Sequence, residues 1–138
     1  FAVREPGIVK RFLLLVMFLA AAGCSTVPQN VGPTVQHVVL CWLKEPGNAA
    51  HRRQIMEVSR ALGKIPGVLN VRPGEAVVSD RDVVDDSFDV AIAFTFKDLD
   101  ALNAYETHPV HKKAVKEVLL PIVKKIIVYD FSEAGPCR

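Results

Sequence analysis

The chain has 138 residues, half of them hydrophobic and 23% charged, with a net charge of +2, a pI near 8.5 and three cysteines. That length holds a short targeting segment and one domain of roughly 100 residues, large enough to bury a core without staples. The charge is mild and no basic stripe interleaved with aromatics is present, so nucleic acid is excluded as a partner, and the composition excludes a low-complexity chain.

Arg4, Lys10 and Arg11 precede or open an apolar run over residues 12–23 that leads into Cys24. A bilayer-spanning helix needs about 20 apolar residues, so the run is short for a span and has the length of a secretory signal core. The ending Leu19-Ala20-Ala21-Ala22-Gly23-Cys24-Ser25 resembles the lipobox of bacterial lipoproteins, with Ala21 where leucine is commonest. That resemblance implies cleavage before Cys24, lipidation of its thiol, and a protein tethered to the envelope and facing the periplasm, with Ser25 compatible with the outer membrane. An ordinary signal peptide with a chance cysteine is the alternative. Residues 1–23 are thus expected to be a signal peptide. Residues 24–35, with Pro28, Gly32 and Pro33, are expected to be the lipidated cysteine and a tether. Cys41 and Cys137 have no spacing that puts them within disulfide reach, so free thiols are expected.

The domain is expected over residues 36–131. Its first strand, 36–44, is marked by β-branched and aromatic content and is stopped by Glu45-Pro46-Gly47. Asn48 is a good N-cap for a helix over 49–64, in which Ile55, Val58, Ser59 and Leu62 recur at helical spacing. Ile65-Pro66-Gly67 breaks that helix. A second strand follows through Val68, Leu69 and Val71, is interrupted at Pro73-Gly74, and resumes at Ala76, Val77 and Val78. Residues 79–87 form an acidic loop, which lacks the glycine and terminal glutamate of an EF-hand and reads as solvated. A third strand covers 88–96. Asp98 or Asp100 caps a helix through Leu99, Leu102 and Tyr105 that restarts at Pro109, and Pro121 marks its exit. The last strand spans 123–131, and 132–138 is a tail.

This β-α-β-β-α-β order is that of an α+β, ferredoxin-like fold, four antiparallel strands with two helices on one face. The segments 38–43 and 90–94 are apolar on both faces, whereas a half-solvated antiparallel strand alternates. The helices cover one face only. The second face is therefore expected to meet another copy, giving a homodimer with two facing sheets. Trp42 and Phe94 are expected in the interior between those sheets.

Tyr105, His108, Pro109 and His111 concentrate a phenol and two imidazoles around a proline. Proline suits the first turn of a helix, so Thr107 or His108 caps a new helix and His111 lies in its first turn. A helix N-terminus disfavours imidazolium, which leaves His111 neutral and able to accept a proton. Three readings stay open on these residues alone: a base and a donor, a metal site, or capped helix ends. For a metal, His37, His108 and His111 would form a triad. However, His108 precedes a proline as a cap and no acidic or cysteine ligand is spaced with them, so no metal and no cofactor is expected.

Gln36-His37-Val38-Val39-Leu40, Ile65-Pro66-Gly67-Val68, the stretch from Tyr105 through His108-Pro109-Val110-His111, and Val128-Tyr129-Asp130-Phe131 together resemble the stress-responsive dimeric α/β-barrel family, Dabb, over residues 36–131. The resemblance implies a ferredoxin-like fold paired into a dimeric α/β barrel. Family members include plant stress proteins and a polyketide cyclase with a pocket between sheet and helices. Matched by motif, the cyclase's base falls on His111, its assisting tyrosine on Tyr105 and its orienting first-strand histidine on His37. The cyclase's first-helix tyrosine falls near Val58, so that side of the pocket is not reproduced. His111 would take a proton from a carbon beside a carbonyl, Tyr105 would hydrogen-bond the enolate oxygen, and His37 would orient. The alternative is a buried polar network fixing the first strand against the second helix. The expected function is accordingly a membrane-tethered, homodimeric stress-response or small-molecule-binding domain. Its rival is an enzyme acting on a carbonyl-containing hydrophobic molecule.

Overall fold

The computed structural model describes residues 33–133. The proposed signal peptide, Cys24, most of the tether, Cys137 and all but the first two residues of the expected tail lie outside the described residues. Four strands, β1 (Val35–Leu43), β2 (Val68–Glu75), β3 (Val90–Phe96) and β4 (Val123–Ser132), form one antiparallel sheet in the order β2-β3-β1-β4. Helix α1 (Ala49–Leu62) connects β1 to β2. A segmented helix connects β3 to β4: α2 (Leu99–Thr107), α3 (Pro109–Ala114), a π-helical turn (Val115–Leu119) and the short α4 (Leu120–Ile122). This is the ferredoxin-like β-α-β-β-α-β arrangement read from the sequence. No helix among the described residues is long and apolar enough to cross a membrane.

Local chemistry sets the helix starts. The Asn48 side chain accepts from the amides of Ala50 and His51, each at 3.0 Å, and opens α1. Asp98, rather than Asp100, caps α2 by accepting from Ala101 N at 2.8 Å. Each cap answers amides that have no partner inside the helix. Helix α1 ends at Leu62, two residues short of the expected 64, and the turn beyond it passes through Gly67 at φ +94°. A Cβ at Gly67 would lie 2.9 Å from the Ala101 Cβ, so this position needs glycine both for conformation and for the close approach of α2.

The strand boundaries differ from expectation in three places. The sheet includes Val35 and Ser132, which pair with each other, so β1 starts one residue earlier and β4 ends one residue later than expected. Strand β2 continues through Pro73 and Gly74 and stops at Glu75, instead of breaking there and resuming at Ala76. A sheet-edge strand has one row of amides without partners in any case, so proline is tolerated. Strand β3 begins at Val90 rather than at residue 88, because Asp89 is engaged elsewhere: its carboxylate accepts from Leu43 N and Gly47 N, clamping the end of β1. In the acidic loop, Asp86 and Asp85 accept from the Ser79 and Ser87 amides, which organises the loop from within.

Alternation along the strands divides the sheet into two faces. Val35, Val39, Cys41, Leu43, Val90, Ile92, Phe94 and Phe96 pack under the helices with Ile55, Leu62, Leu102, Tyr105 and Leu119. Cys41 is fully buried and its thiol is pushed up to about 11 by that burial. Phe94 thus belongs to the helix-covered core and not to the second face, where the sequence reading put it. The second face carries Val38, Leu40, Trp42, Ala91, Ala93, Ile127, Tyr129 and Phe131. Trp42 is covered there by the loop, donating to the Ser87 Oγ at 3.1 Å and packing edge-on against Phe88, with the Lys125 ammonium 4.2 Å over its ring. Tyr129 and Phe131 stay 58% and 53% exposed, so the rest of this face is an uncovered apolar surface.

Candidate functional site

A cavity of about 220 Å³ lies between the helix-covered face and the helices. Its wall is mostly aliphatic and aromatic, with Val39, Leu62, Ile92, Phe94, Val115 and Leu119 among the contributors. Its polar groups come from five residues: His37, Ser59, Tyr105, Glu106 and His111. The three residues singled out by the sequence, His37, Tyr105 and His111, therefore converge from β1, α2 and α3. The π turn helps shape the wall, since Val115 and Leu119 stand at its two ends. Such turns are rare and recur at functional sites.

Tyr105 is 1% exposed and sits at the centre of the cluster. Its ring centroid is 4.5 Å from that of His111, 5.0 Å from Phe96, 5.3 Å from Phe94 and 6.2 Å from His37. Burial, and secondarily the neighbouring Glu106 carboxylate, push the phenol's ionisation well above its ordinary value, so it remains a hydroxyl. No hydrogen bond from a described residue contributes to that shift. Helix α2 stops because His108 takes an extended backbone before Pro109. The His108 Nδ1 then accepts from Val110 N at 3.2 Å and caps α3, so His108 acts as the cap and stands apart from the pair His37 and His111.

The His111 Nδ1 lies 3.1 Å from the Glu106 carbonyl oxygen. A carbonyl can only accept, so Nδ1 carries the proton and donates, which leaves Nε2 as the basic nitrogen of the neutral ring. Burial holds the His111 pKa below its ordinary value, outweighing the raising effect of that carbonyl. The ring is thus a neutral acceptor set against a phenol donor.

His37 is buried, with 7% side-chain exposure, and its Nδ1 is 2.6 Å from the Asp130 carboxylate. The two residues are direct cross-strand partners in the β1–β4 register. With Asp130 accepting from Nδ1–H, the His37 ring is fixed in orientation. Glu106 joins this edge of the cavity: His37, Glu106 and Asp130 each place a potential ligand atom within 4.8 Å of the others. These are the residues that could hold a cation. Two of them, Asp130 and Glu106, were not singled out by the sequence, and neither was the pocket-lining role of buried Ser59, whose hydroxyl donates to the Ile55 carbonyl at 2.7 Å. Val58, where a first-helix tyrosine was sought, is half-buried and packs against the core instead of lining the cavity.

The family model of the stress responsive A/B barrel domain matches residues 35–133. No curated protein matches the chain. Among solved structures, a Dabb-family protein with a ferredoxin-like fold from Mesorhizobium loti is similar with a TM-score of 0.62 and 22% identity, covering 75% of this chain and all of that one. A dimeric ferredoxin-like protein of unknown function from Thermobifida fusca gives 0.59 and 20%, covering 74% of this chain and 92% of that one. The hydroxynitrile lyase from Passiflora edulis gives 0.64 and 21%, covering 76% and 97%. At these identities the likeness is one of fold.

Proposed function

The chain belongs to the stress responsive A/B barrel domain family, and on that premise we propose that it binds a small, largely apolar carbonyl compound and moves a proton on it. The observation that carries this reading is the pairing of a neutral His111, its Nε2 free to accept, with the Tyr105 hydroxyl on the wall of an apolar cavity. A cavity of about 150 Å³ already admits benzene, so one ring with a short chain fits a larger space such as this. His111 Nε2 takes the proton from the carbon next to the carbonyl. The electron pair moves onto the carbonyl oxygen, and the Tyr105 hydroxyl stabilises that oxygen as it gains charge. The proton returns from His111 to the carbon or to another atom of the same molecule. His37, oriented by Asp130, holds the far side of the ligand.

Two features complete the proposal. The uncovered second face, with exposed Tyr129 and Phe131, fits a second copy of the chain, and solved relatives of this fold are described as dimeric. The lipobox-like sequence before Cys24 fits a lipid anchor holding that dimer on the periplasmic side of a membrane. A direct test of the chemistry is solvent exchange. The protein is incubated in D₂O with 4-phenyl-2-butanone, and deuterium uptake beside the carbonyl is followed by NMR. Uptake above buffer that disappears in His111→Gln supports the enzyme reading. Binding of the ketone without exchange leaves a binding module with no reaction, and absence of both ends the proposal.

A further inference from the structure

We propose that the cavity selects a neutral molecule that itself donates a hydrogen bond, an apolar compound carrying a hydroxyl, and turns away anions. The inference rests on the reading of this cavity as a ligand site and names the class of ligand it takes. It follows from counting protons on the polar wall. The hydroxyl proton of Ser59 is engaged with the Ile55 carbonyl, so toward a ligand Ser59 Oγ is an acceptor. The Nδ1 proton of His111 is engaged with the Glu106 carbonyl, so Nε2 is an acceptor. The Glu106 carboxylate only accepts. The Nδ1 proton of His37 is engaged with the Asp130 carboxylate and is not offered to a ligand. Tyr105 is the one hydroxyl on the described wall whose proton is not engaged in this way.

A ligand that brings acceptors alone would be met by one hydroxyl donor and would leave buried acceptors unpaired, the arrangement that penalises binding most. Charge points the same way. Among the described residues no lysine or arginine lines the cavity, and the carboxylates of Glu106 and Asp130 stand together at one edge. Both carboxylates are exposed at that edge, so a carboxylate or phosphate entering past them is repelled, and inside the cavity it meets no lysine or arginine among the described residues. Ser59 lies on α1, whereas Tyr105 and His111 lie on α2 and α3. A molecule with its carbonyl toward Tyr105 and its hydroxyl toward Ser59 spans the cavity from one helix to the other.

Three probes of matched shape test this by calorimetry on the full chain at pH 7: 4-ethylphenol, 4-ethylanisole and 4-ethylbenzoate. The phenol is expected to bind about tenfold more tightly than the anisole, as suits one buried acceptor satisfied or left unpaired, and the benzoate to show no binding. Ser59→Ala is expected to weaken the phenol more than the anisole and so narrow the gap between them, with far-UV circular dichroism checking that the variant is folded. Glu106→Gln is expected to let the benzoate bind measurably. Equal binding of phenol and anisole by the unaltered protein overturns the donor requirement while leaving the ligand cavity intact. Tighter binding of the benzoate overturns the charge argument. Failure of all three probes removes the ligand-site reading and this inference with it.

Discussion

Replacing Tyr105 by phenylalanine separates a functional hydroxyl from a structural one. The ring of Tyr105 is 1% exposed and packs on Phe94, Phe96 and His111 at 5.3, 5.0 and 4.5 Å, contacts that phenylalanine keeps. Truncation to alanine would remove them and cost about 3–5 kcal/mol, as large aromatic deletions in cores do. The hydroxyl contributes differently. It opens on the cavity, and no hydrogen bond from a described residue shifts its ionisation. An unpaired buried polar group costs about 1–3 kcal/mol, reduced here because the cavity beside it admits water. Tyr105→Phe is therefore expected to leave stability unchanged or raise it by up to about 1 kcal/mol. Urea unfolding followed through the single tryptophan, Trp42, at one fixed protein concentration gives the comparison, with the midpoint expected to rise or hold at constant slope. Deuterium exchange into the ketone should meanwhile fall on the order of a hundredfold, the scale of losing one donor to a developing oxyanion. A loss of more than about 1 kcal/mol in Tyr105→Phe would refute the reasoning, because a hydroxyl worth that much is part of a satisfied network tying β1 to α2.

Other expectations follow from the same geometry. Because burial lowers the pKa of His111 from 6.5, the unfolded chain binds more protons than the folded one near that pH. The contribution of His111 to stability is thus complete above 6.5 and is lost as pH falls through the depressed folded-state value. An NMR titration should find its ring more than half neutral at pH 6.5, and a midpoint above 6.5 contradicts the burial argument. On the second face, Phe131→Lys should convert a dimer into a monomer in sedimentation velocity, since a charge would then be buried between sheets; a monomeric parent protein excludes the dimer outright. Cys24→Ala should abolish incorporation of labelled palmitate, and undiminished labelling excludes the lipid anchor.

Much of the fold was legible because its signals are local. Asn48 announces a helix start by side-chain chemistry, and the sequence narrows the other two caps to Asp98 or Asp100 and to Thr107 or His108, which the backbone then settles on Asp98 and His108. His37 reads as helix-facing only after strand alternation is fixed by Val35, Val39 and Cys41. What stayed hidden depends on register and on which element lies at an edge. Asp130 is 93 residues from His37, and only the pairing of β4 with β1 makes them partners. Glu106 was invisible as a site residue because its backbone carbonyl, and not its side chain, orients His111. Pro73 misled as an interruption because position at the sheet edge is a tertiary fact. Ser59 was recognised as a member of the apolar face of α1, but its role on the cavity wall depends on α1 lying across Val39 and Ile92, which no spacing within α1 can report.

The π turn at Val115–Leu119 also bears on how this helix can vary in length. Its hydrogen bonds reach back five residues where an α turn reaches four, so it accommodates one residue more than regular winding would. Loss of either exposed residue in its middle, Lys116 or Glu117, would restore α geometry without moving the helix ends that anchor Pro109 and Val123. Chains of this fold can therefore differ by one residue in the middle of a helix, where gaps are ordinarily least expected, and such a gap would mark whether the cavity wall carries the wide turn or the narrow one.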